Sequence, residues 1–332
     1  QEEELINGVK SIRIGFSNLP VIKQFWQIFS TYIAAKKVVK EINADILFTF
    51  NLFPQIGIPM RWLKKKFPHL ETVCLLADLP IDDNTNRKGF SVFLRKVFER
   101  STWKSMLLCG KYIVLNKHVI EKYLSGKPYI VIDGGVDESD IKRYEKPVQK
   151  KKEHNVLFCG ALTEYNGILS LIDAMEYLRD TDIVLDIYGG GYLEECVVEA
   201  SKKNSKIRYH GRISNQEVMQ KQREAWLLIN PRIVDDPITQ VTFPSKTFEY
   251  MLSGTPVLST RLNGYEKEYD DHMYWIEDLS ANALANTIAN IRNIEIKEYK
   301  NMGERAKSMI VTKKSWIQQC SRIHEFLIGG EK

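Results

Sequence analysis

The sequence predicts an α/β protein with two doubly wound domains, and three observations support that prediction. Short β-rich segments alternate with amphipathic segments along the chain, as parallel sheets built from strand–helix–strand units require. The alternation stops at a charged segment and then restarts, which indicates a linker between two blocks. Glycine-rich turns follow strands of the second block, at the edge where sheets of this kind bind ligands.

The alternation predicts a first domain over residues 1–140, a linker over 141–153 and a second domain over 154–314. Strands of the first domain are expected at residues 12–16, 45–50, 72–76, 112–115 and 129–132, with amphipathic helices at 23–42 and 90–103. Strands of the second domain are expected at residues 155–159, 183–188, 206–210, 225–229 and 256–259. A last helix at about 315–330 is expected to pack back on the first domain.

The composition is typical of a soluble globular protein, with 44% hydrophobic and 27% charged residues among 332. No apolar segment approaches the length of a membrane span, and the polar start from Gln1 to Glu4 does not resemble a signal peptide. The five cysteines form no CxxC pair, so we expect free thiols in a reducing compartment and no zinc site. These features favour a cytoplasmic protein without a bound metal.

The net charge of +5 is carried by the first domain. Residues 1–140 contain 20 Lys and Arg against 15 Asp and Glu, whereas residues 141–332 contain 27 of each kind. An excess of this size is far below that of a nucleic-acid-binding domain, so we expect no nucleic-acid partner. It does indicate that the first domain meets something anionic.

Several strand ends of the second domain carry residues suited to a phosphate or sugar. Two of them are glycine-rich turns, which let a ligand approach the backbone closely. A third contributes an arginine. The residues concerned are Gly160, Ala161, Gly189, Gly190 and Arg212. Because glycines also serve tight turns that bind nothing, each turn is a weak signal by itself.

A stronger signal comes from TFPSKTFEYMLSGTPV, residues 242–257. Ser245 is expected to cap a short helix that stops before Gly254. Lys246 then stands at the helix start, where unpaired N–H groups and a partial positive charge already favour an anion. Arg232 follows the preceding strand, so two cations and a helix start converge. This convergence predicts a diphosphate site.

Other side chains of the same helix are predicted to contact the donor. They are Ser245, Thr247 and Glu249, and the glutamate lies one turn into the helix. A carboxylate there can accept hydrogen bonds from two neighbouring hydroxyls, as on a ribose. The alternatives are that Lys246 is merely solvated and that Glu249 only stabilises the helix through its dipole.

The second domain resembles the donor-binding domain of retaining GT-B glycosyltransferases, of the family 4 type common in bacterial polysaccharide assembly. The resemblance covers roughly residues 155–260, through VLFCGALTEYNGILSLIDAM, LDIYGGGYLEE, IRYHGRISNQEV, AWLLINPR and FPSKTFEYMLSGTPVLST. The first domain matches more loosely, through CLLADLP and VIDGGVD. The resemblance implies two Rossmann-like domains facing a central cleft. It also implies metal-independent sugar transfer, with retention of anomeric configuration, from a nucleotide-sugar that is most often a UDP-sugar.

The resemblance places Glu249 at the second acid of the family's Glu-x7-Glu signature, which grips the donor ribose. Val241 stands at the first acid, so the donor sugar is left open. Ala161 and Asn166 stand where the family has an arginine and a lysine that neutralise the leaving diphosphate. Arg232 and Lys246 are the candidates to replace that charge from the opposite wall of the crevice.

The acceptor side is less well defined. The family's acceptor-domain histidine has no clear counterpart, and Asn51 is the nearest position. The family also has a longer start with a glycine-rich first loop, so an incomplete acceptor domain is expected. Asp78 ends an apolar strand and is predicted to position or deprotonate the acceptor hydroxyl. The alternative role for Asp78 is a turn or helix N-cap.

The segment from Arg87 to Lys104 has the pattern of a basic amphipathic helix. Such a helix can lie on an anionic membrane surface, and the alternative is an ordinary helix packed on the first sheet. The resemblance implies an acceptor that is a glycan or a lipid-linked molecule. A lipid-linked diphosphate would lie at the inner leaflet, which agrees with the hypothesis that this helix contacts a membrane. We therefore expect a cytoplasmic enzyme with a peripheral membrane contact.

Two other functions stay open. A non-catalytic sugar-nucleotide-binding member of the family is favoured by the changes at Val241, Ala161 and Asn166. A GT-B nucleotide-sugar epimerase would need a carboxylate or histidine at the anomeric carbon, and none is clearly placed. A dinucleotide-dependent dehydrogenase is disfavoured, because the turn at Gly160 is not GxGxxG.

Overall fold

The computed structural model describes residues 2–6, 8–15, 19, 22–80, 90–145, 148 and 153–329. The chain divides into two compact units, the first ending at Val131 and the second beginning at Ile132. Both units are built on parallel sheets, which confirms the predicted α/β class. The predicted domain limits, with a linker at residues 141–153, stay a prediction.

The first unit contains a four-stranded parallel sheet in the order β3-β4-β5-β6, with helices between the strands. Four of the five strands predicted for the first domain, at residues 45–50, 72–76, 112–115 and 129–132, are found in this sheet. The elements are β1 (Glu2–Ile6), β2 (Val9–Arg13), α1 (Ile22–Ile42), β3 (Ile46–Phe50), α2 (Pro54–Lys66), β4 (Glu71–Leu76), α3 (Phe90–Leu108), β5 (Lys111–Val114), α4 (His118–Tyr123) and β6 (Tyr129–Val131).

The strand expected at residues 12–16 differs from the prediction. Residues up to Arg13 belong to β2, which pairs antiparallel with β1 rather than joining the parallel sheet. Gly8 stands between the two strands with a φ of +80°, a left-handed conformation that tight hairpin turns use. The local turn therefore pairs β2 with its sequence neighbour. Residues 16–18 lie outside the described part of the chain.

The second unit contains a six-stranded sheet in which all strands are parallel, in the order β12-β11-β10-β7-β8-β9. Its elements are α5 (Glu138–Glu145), β7 (His154–Ala161), α6 (Ile168–Tyr177), β8 (Ile183–Gly190), α7 (Glu194–Lys203), β9 (Ile207–Tyr209), α8 (Asn215–Glu224), β10 (Leu227–Asn230), α9 (Pro237–Val241), α10 (Lys246–Leu252), β11 (Val257–Thr260), β12 (Tyr274–Ile276), α11 (Ala281–Arg292), α12 (Ile296–Lys313) and α13 (Trp316–Ile328). The five predicted strands are β7 to β11, and the three-residue β12 was not predicted.

The core of the second unit lies between one face of this sheet and three helices. Apolar side chains of β7, β8 and β10 pack there against α6, α7 and α11. The strands β7 and β8 are almost continuously buried, because helices cover both faces of a parallel sheet. This packing holds the carboxyl ends of the central strands in a fixed row.

A buried ion-pair network joins the first residues of the second unit to its last helices. Lys314 donates to both carboxylate oxygens of Asp133, at 2.8 and 2.6 Å, and to Glu268 at 2.6 Å. Tyr269 donates to the same Asp133 at 2.5 Å. Because each buried charge has partners, the network fixes the segment before α5 beside the start of α13. The prediction that α13 packs on the first domain is not tested by these contacts.

No helix in the described parts of the chain combines the length and the apolarity needed to cross a membrane.

The cysteines provide a test of the fold. Cys74, Cys109 and Cys159 are buried, whereas Cys196 and Cys320 are exposed. Burial raises the pKa of Cys74 and Cys159 to about 12, so roughly one thiol in ten thousand ionises at pH 8, against about a quarter for an ordinary thiol. We expect a maleimide at pH 8 to label two thiols within minutes. Labelling of the other three should require denaturant, and fast labelling of a third thiol in the native protein would contradict the described burial.

Candidate functional site

The strand order of the second sheet reverses between β7 and β10. From β7 the chain moves outward to β8 and β9, and it then returns to β10 on the other side of β7 and continues to β11 and β12. Doubly wound sheets bind ligands outside the carboxyl ends of the strands at such a reversal. The loops that follow β7 and β10 therefore form the candidate site.

At this point β7 extends beyond its pairing with β10. The two strands pair only at Val156 and Leu157 of β7, whereas the pairing of β7 with β8 continues to Ala161. Beyond Leu157, the edge of β7 that β10 leaves unpaired is filled by the hydroxyl of Tyr250. This hydroxyl accepts from the Cys159 N–H at 3.0 Å and donates to the Cys159 carbonyl at 3.1 Å. Tyr250 thereby anchors α10 over the end of β7.

Lys246 is the first residue of α10, as the sequence predicted. It makes no hydrogen bond or ion pair with any residue that the structure describes. The charge of Lys246 opposes the burial-driven rise in the pKa of Cys159, so the ammonium lies within electrostatic range of the end of β7. The structure thus brings an unneutralised cation to the sheet reversal.

Ser245 does not cap α10 as expected. Its backbone is already right-handed helical, and its hydroxyl accepts no bond from the helix. The reason is that the Pro244 carbonyl accepts from the Thr247 N–H at 2.9 Å, so the turn begins earlier. Thr247 is buried and its hydroxyl is bonded to Tyr265 at 2.7 Å. Of the two predicted donor-binding hydroxyls, only that of Ser245 is on an exposed residue.

Arg232 follows β10, and its loop is tied to the loop after β7. The Ile233 N–H donates to the Tyr165 carbonyl at 2.9 Å, and the Arg232 guanidinium lies 5.9 Å from the centre of the Tyr165 ring. The Nε of Arg232 is buried and has no hydrogen-bond partner within the described chain. Burial lowers the pKa of Arg232, because water stabilises its charge less well there. A bound anion would compensate this charge.

The glycines of the predicted donor loops are needed for packing. A Cβ on Gly189, whose φ is +140°, would lie 1.8 Å from the Gly160 carbonyl oxygen. A Cβ on Gly190 would lie 2.2 Å from Nε of Arg212. Arg212 follows β9, which is three strands from β10 and therefore about 14 Å away across the sheet. The Arg212 side chain therefore lies at the end of β8, whereas the Arg232 guanidinium lies beside the loop after β7.

Asn166 and Ala161 are hydrogen-bonded to each other within the loop after β7. The Asn166 amide donates to the Ala161 carbonyl at 2.8 Å and to the Thr163 hydroxyl at 2.9 Å, and Asn166 is only 7% exposed. This side chain braces the loop and carries no charge. Val241, at the end of α9, is buried and apolar. Neither Ala161, Asn166 nor Val241 can replace the ionic group that the resemblance associates with its position.

Glu249 lies one turn into α10 and is exposed. Its carboxylate accepts from the side-chain amide of Gln222 at 3.4 Å. It also lines a cavity of about 230 Å³ between α5, α8 and α10, with Arg143, Met219 and other residues of these helices. Sequence reasoning identified Glu249 but missed Tyr250 and Gln222, because only the folded chain shows what their polar atoms contact.

Asp78 belongs to the first unit and follows β4. Its carboxylate accepts from the Asn51 amide at 3.0 Å, and the Asn51 side-chain oxygen accepts from the N–H groups of Ala77 and Asp78. Asn51 itself has a φ of +54°. The two polar residues at the ends of β3 and β4 therefore fix one another.

The described residues contain no group of three or more His, Cys, Asp or Glu side chains that could hold a metal ion. The absence of metal from the reaction stays a prediction.

Comparison with known proteins bears on these loops. The model of the family described as "Glycosyl transferases group 1" matches residues 140–309, just over half of the chain. This range includes the whole sheet reversal and α10. Among curated proteins, no sequence match was found.

Solved structures are similar in fold at low sequence identity. Sucrose-phosphate synthase from Thermosynechococcus elongatus has a TM-score of 0.68 at 16% identity, over 99% of this chain and 86% of that one. Anabaena Alr3699/HepE, solved with UDP-glucose, has a TM-score of 0.65 at 14% identity, over 95% and 85%. S. aureus TarM, solved with UDP and glycan ligands, has a TM-score of 0.64 at 14% identity, over 91% and 59%. These similarities support the GT-B fold.

Proposed function

We propose that this chain, which belongs to the group 1 glycosyl transferases, transfers a sugar from a nucleoside diphosphate sugar, with UDP-sugars the first candidates. The observation that carries this proposal is the pair of cations at the sheet reversal. Arg232 and Lys246 have no carboxylate partner among the described residues, and such charges are best compensated by a diphosphate. HepE was solved with UDP and with UDP-glucose, and TarM was solved with UDP, which agrees with this choice.

The proposed chemistry follows from where charge develops. The bond between the anomeric carbon and the diphosphate oxygen breaks, and the leaving diphosphate gains negative charge. Arg232 is held beside Tyr165 before the reaction, so its charge needs little reorganisation to stabilise the leaving group. Lys246 adds a second charge that no described residue neutralises. The acceptor hydroxyl passes its proton to a base, for which Asp78 is the proposed group, and its oxygen forms the bond to the anomeric carbon. The resemblance implies retention of configuration and no metal.

Glu249 is proposed to bind the ribose of the donor. Glu249 lies one turn after Lys246 in α10. A nucleotide bound with its phosphate at Lys246 would have its adjoining ribose near the Glu249 carboxylate. A carboxylate can accept from both ribose hydroxyls at once. Ser245 adds an exposed hydroxyl nearby.

The acceptor is proposed to be a glycan or a lipid-linked molecule in surface polysaccharide synthesis. Asp78 is the proposed group that positions or deprotonates its hydroxyl, and the bond from Asn51 holds the carboxylate in place. This assignment rests on the resemblance and on the position of Asp78 at a strand end.

A membrane contact through α3 is proposed as part of the acceptor side. Phe93 and Val97 lie one turn apart on α3 and form an apolar stripe. They are 63% and 41% exposed, so the first sheet does not cover this stripe. Arg95 pairs with Glu99 one turn away at 3.4 Å. Residues 87–89 of the predicted basic helix lie outside the described chain. An exposed apolar stripe among basic residues supports a peripheral, cytoplasmic-side association.

A non-catalytic binding role is the second candidate. It is favoured by the internal use of the Asn166 amide and by the apolar Val241, which remove two groups that act on the donor in related enzymes. Such a protein would bind a nucleotide-sugar but would not show the slow hydrolysis of the donor that is expected of an enzyme.

A thermal-shift screen with UDP, GDP, ADP and their common sugar conjugates tests the proposal. A ligand at a hundred times its dissociation constant should stabilise the protein by about 2.7 kcal/mol. We expect one base to stabilise the protein and its sugar conjugate to be hydrolysed slowly over hours. Stabilisation without hydrolysis would favour the non-catalytic role. The absence of any shift would contradict nucleotide binding altogether.

A further inference from the structure

The side chain of Gln222 forms a bridge between α5 and Glu249. Its amide oxygen accepts from the Tyr144 hydroxyl at 3.0 Å, and its amide nitrogen donates to the Glu249 carboxylate at 3.4 Å. Tyr144 is on α5, Gln222 is on α8 and Glu249 is on α10. One buried amide therefore connects three helices around the cavity that Glu249 lines.

The direction of these hydrogen bonds is fixed by chemistry. Burial, and then the charge of Glu249, raise the pKa of Tyr144, so its hydroxyl stays protonated and donates. The amide oxygen must face that donor, because it is the only acceptor of the amide. The amide nitrogen then faces Glu249, and the carboxylate can only accept. Tyr144 therefore donates to Gln222, and Gln222 donates to Glu249.

Gln222 is held in place at its backbone as well. It is 0% exposed, and its carbonyl accepts from the buried Thr255 hydroxyl at 2.8 Å, just beyond the end of α10. An apolar side chain of similar length would fill the same space without the cost of burying an amide. The amide contributes through its two hydrogen bonds, and one of these holds a carboxylate that is otherwise exposed.

We propose that Gln222, oriented by Tyr144, is a positioning residue for Glu249 and makes recognition of the donor ribose depend on α5. This inference rests on the proposed function, in which Glu249 binds the ribose hydroxyls. An exposed glutamate samples several rotamers. A hydrogen bond from the buried Gln222 amide selects the rotamer that faces the ligand. Gln222 does not touch the donor, so its effect is confined to groups that Glu249 contacts.

The test measures preference for ribose rather than affinity alone. The ligands are the nucleoside diphosphate that binds in the screen above, chosen from UDP, GDP and ADP, and its 2′,3′-dideoxy counterpart. Wild type should prefer the ribose form by roughly tenfold or more, because the dideoxy form lacks both hydroxyls that donate to the charged carboxylate. Gln222→Met should reduce that preference at least roughly threefold, with little change in the affinity for the dideoxy form.

Two further variants separate positioning from structure. Gln220→Met is the matched control, because Gln220 is exposed on the same helix and its amide donates to Glu224 rather than to Glu249. It should leave the preference unchanged. In a Glu249→Ala background, Gln222→Met should have no further effect on the preference, because the two residues act as a unit. Tyr144→Phe should give a smaller loss than Gln222→Met.

The outcomes are distinguishable from a failure of the proposed function. If no nucleoside diphosphate binds wild type, the proposed function is wrong and this inference falls with it. If the diphosphate binds and Gln222→Met lowers the affinity for both ligand forms equally, Gln222 is only structural. An unchanged preference in a folded Gln222→Met protein would overturn the inference directly.

Discussion

Replacing Gly167 by alanine should destabilise the second unit by about 3–5 kcal/mol, the largest effect that we expect from a single substitution. Gly167 has a φ of +72°, and a Cβ at this position would lie 1.7 Å from the Pro231 carbonyl oxygen. The obstacle is backbone of the loop after β10, so no side-chain rotation relieves it. The Ile233–Tyr165 hydrogen bond ties the same two loops and resists their separation.

Gly211→Ala is the matched control for this prediction. Gly211 has nearly the same φ, +71°, but nothing lies within 4 Å of its Cβ position. It should therefore cost only the left-handed backbone penalty of about 1–2 kcal/mol. Urea unfolding followed by far-ultraviolet circular dichroism compares the two variants. Equal losses would mean that the loops after β7 and β10 are not in the described contact.

Replacing Lys246 by alanine should weaken binding of the selected nucleoside diphosphate by roughly 10- to 150-fold, or about 1.5–3 kcal/mol. The physical reason is loss of a charge-assisted contact at a site where Lys246 has no partner within the described chain to replace it. The affinity for the corresponding nucleoside, which has no phosphate, should change little. Isothermal titration calorimetry with both ligands measures the difference.

Lys297→Ala is the control for the change in net charge, because Lys297 is exposed on α12, away from the sheet reversal. It should alter the affinity for the diphosphate by less than about twofold, since isolated surface charges are screened by salt. If Lys246→Ala weakens the nucleoside and the diphosphate equally, its role is structural. If it matches the control variant, Lys246 is simply solvated.

The strand–helix alternation of the second unit was predictable because each parallel strand is buried on both faces. That environment demands unbroken apolar runs, which are visible in the sequence around residues 155–159 and 183–188. The prediction was weaker where local turns decide the outcome. The hairpin of β1 and β2 depends on the turn at Gly8, and the three-residue β12 has too few residues to show any periodicity.

The candidate site was predictable in part. The positions of Arg232 after a strand and of Lys246 and Glu249 in the first turn of a helix were predicted and are found, whereas their roles toward the donor stay predictions. The capping role of Ser245 was wrong, because the helical turn began one residue earlier, at Pro244. The hydroxyl of Thr247 is bonded to Tyr265, a residue that is distant in sequence and therefore not deducible from it.

The sequence by itself determined the α/β class, the glycine-rich strand ends and the kinds of charge at the sheet reversal, because these depend on local periodicity and residue chemistry. Only the tertiary structure decided which polar atoms are already used. Tyr250 fills the edge of β7 because β10 stops pairing there, Asn166 braces its own loop, and Gln222 connects Tyr144 to Glu249. The contacts of Tyr250 and Gln222 join segments far apart in the chain, and hydrogen bonds between such segments leave no spacing pattern in the sequence.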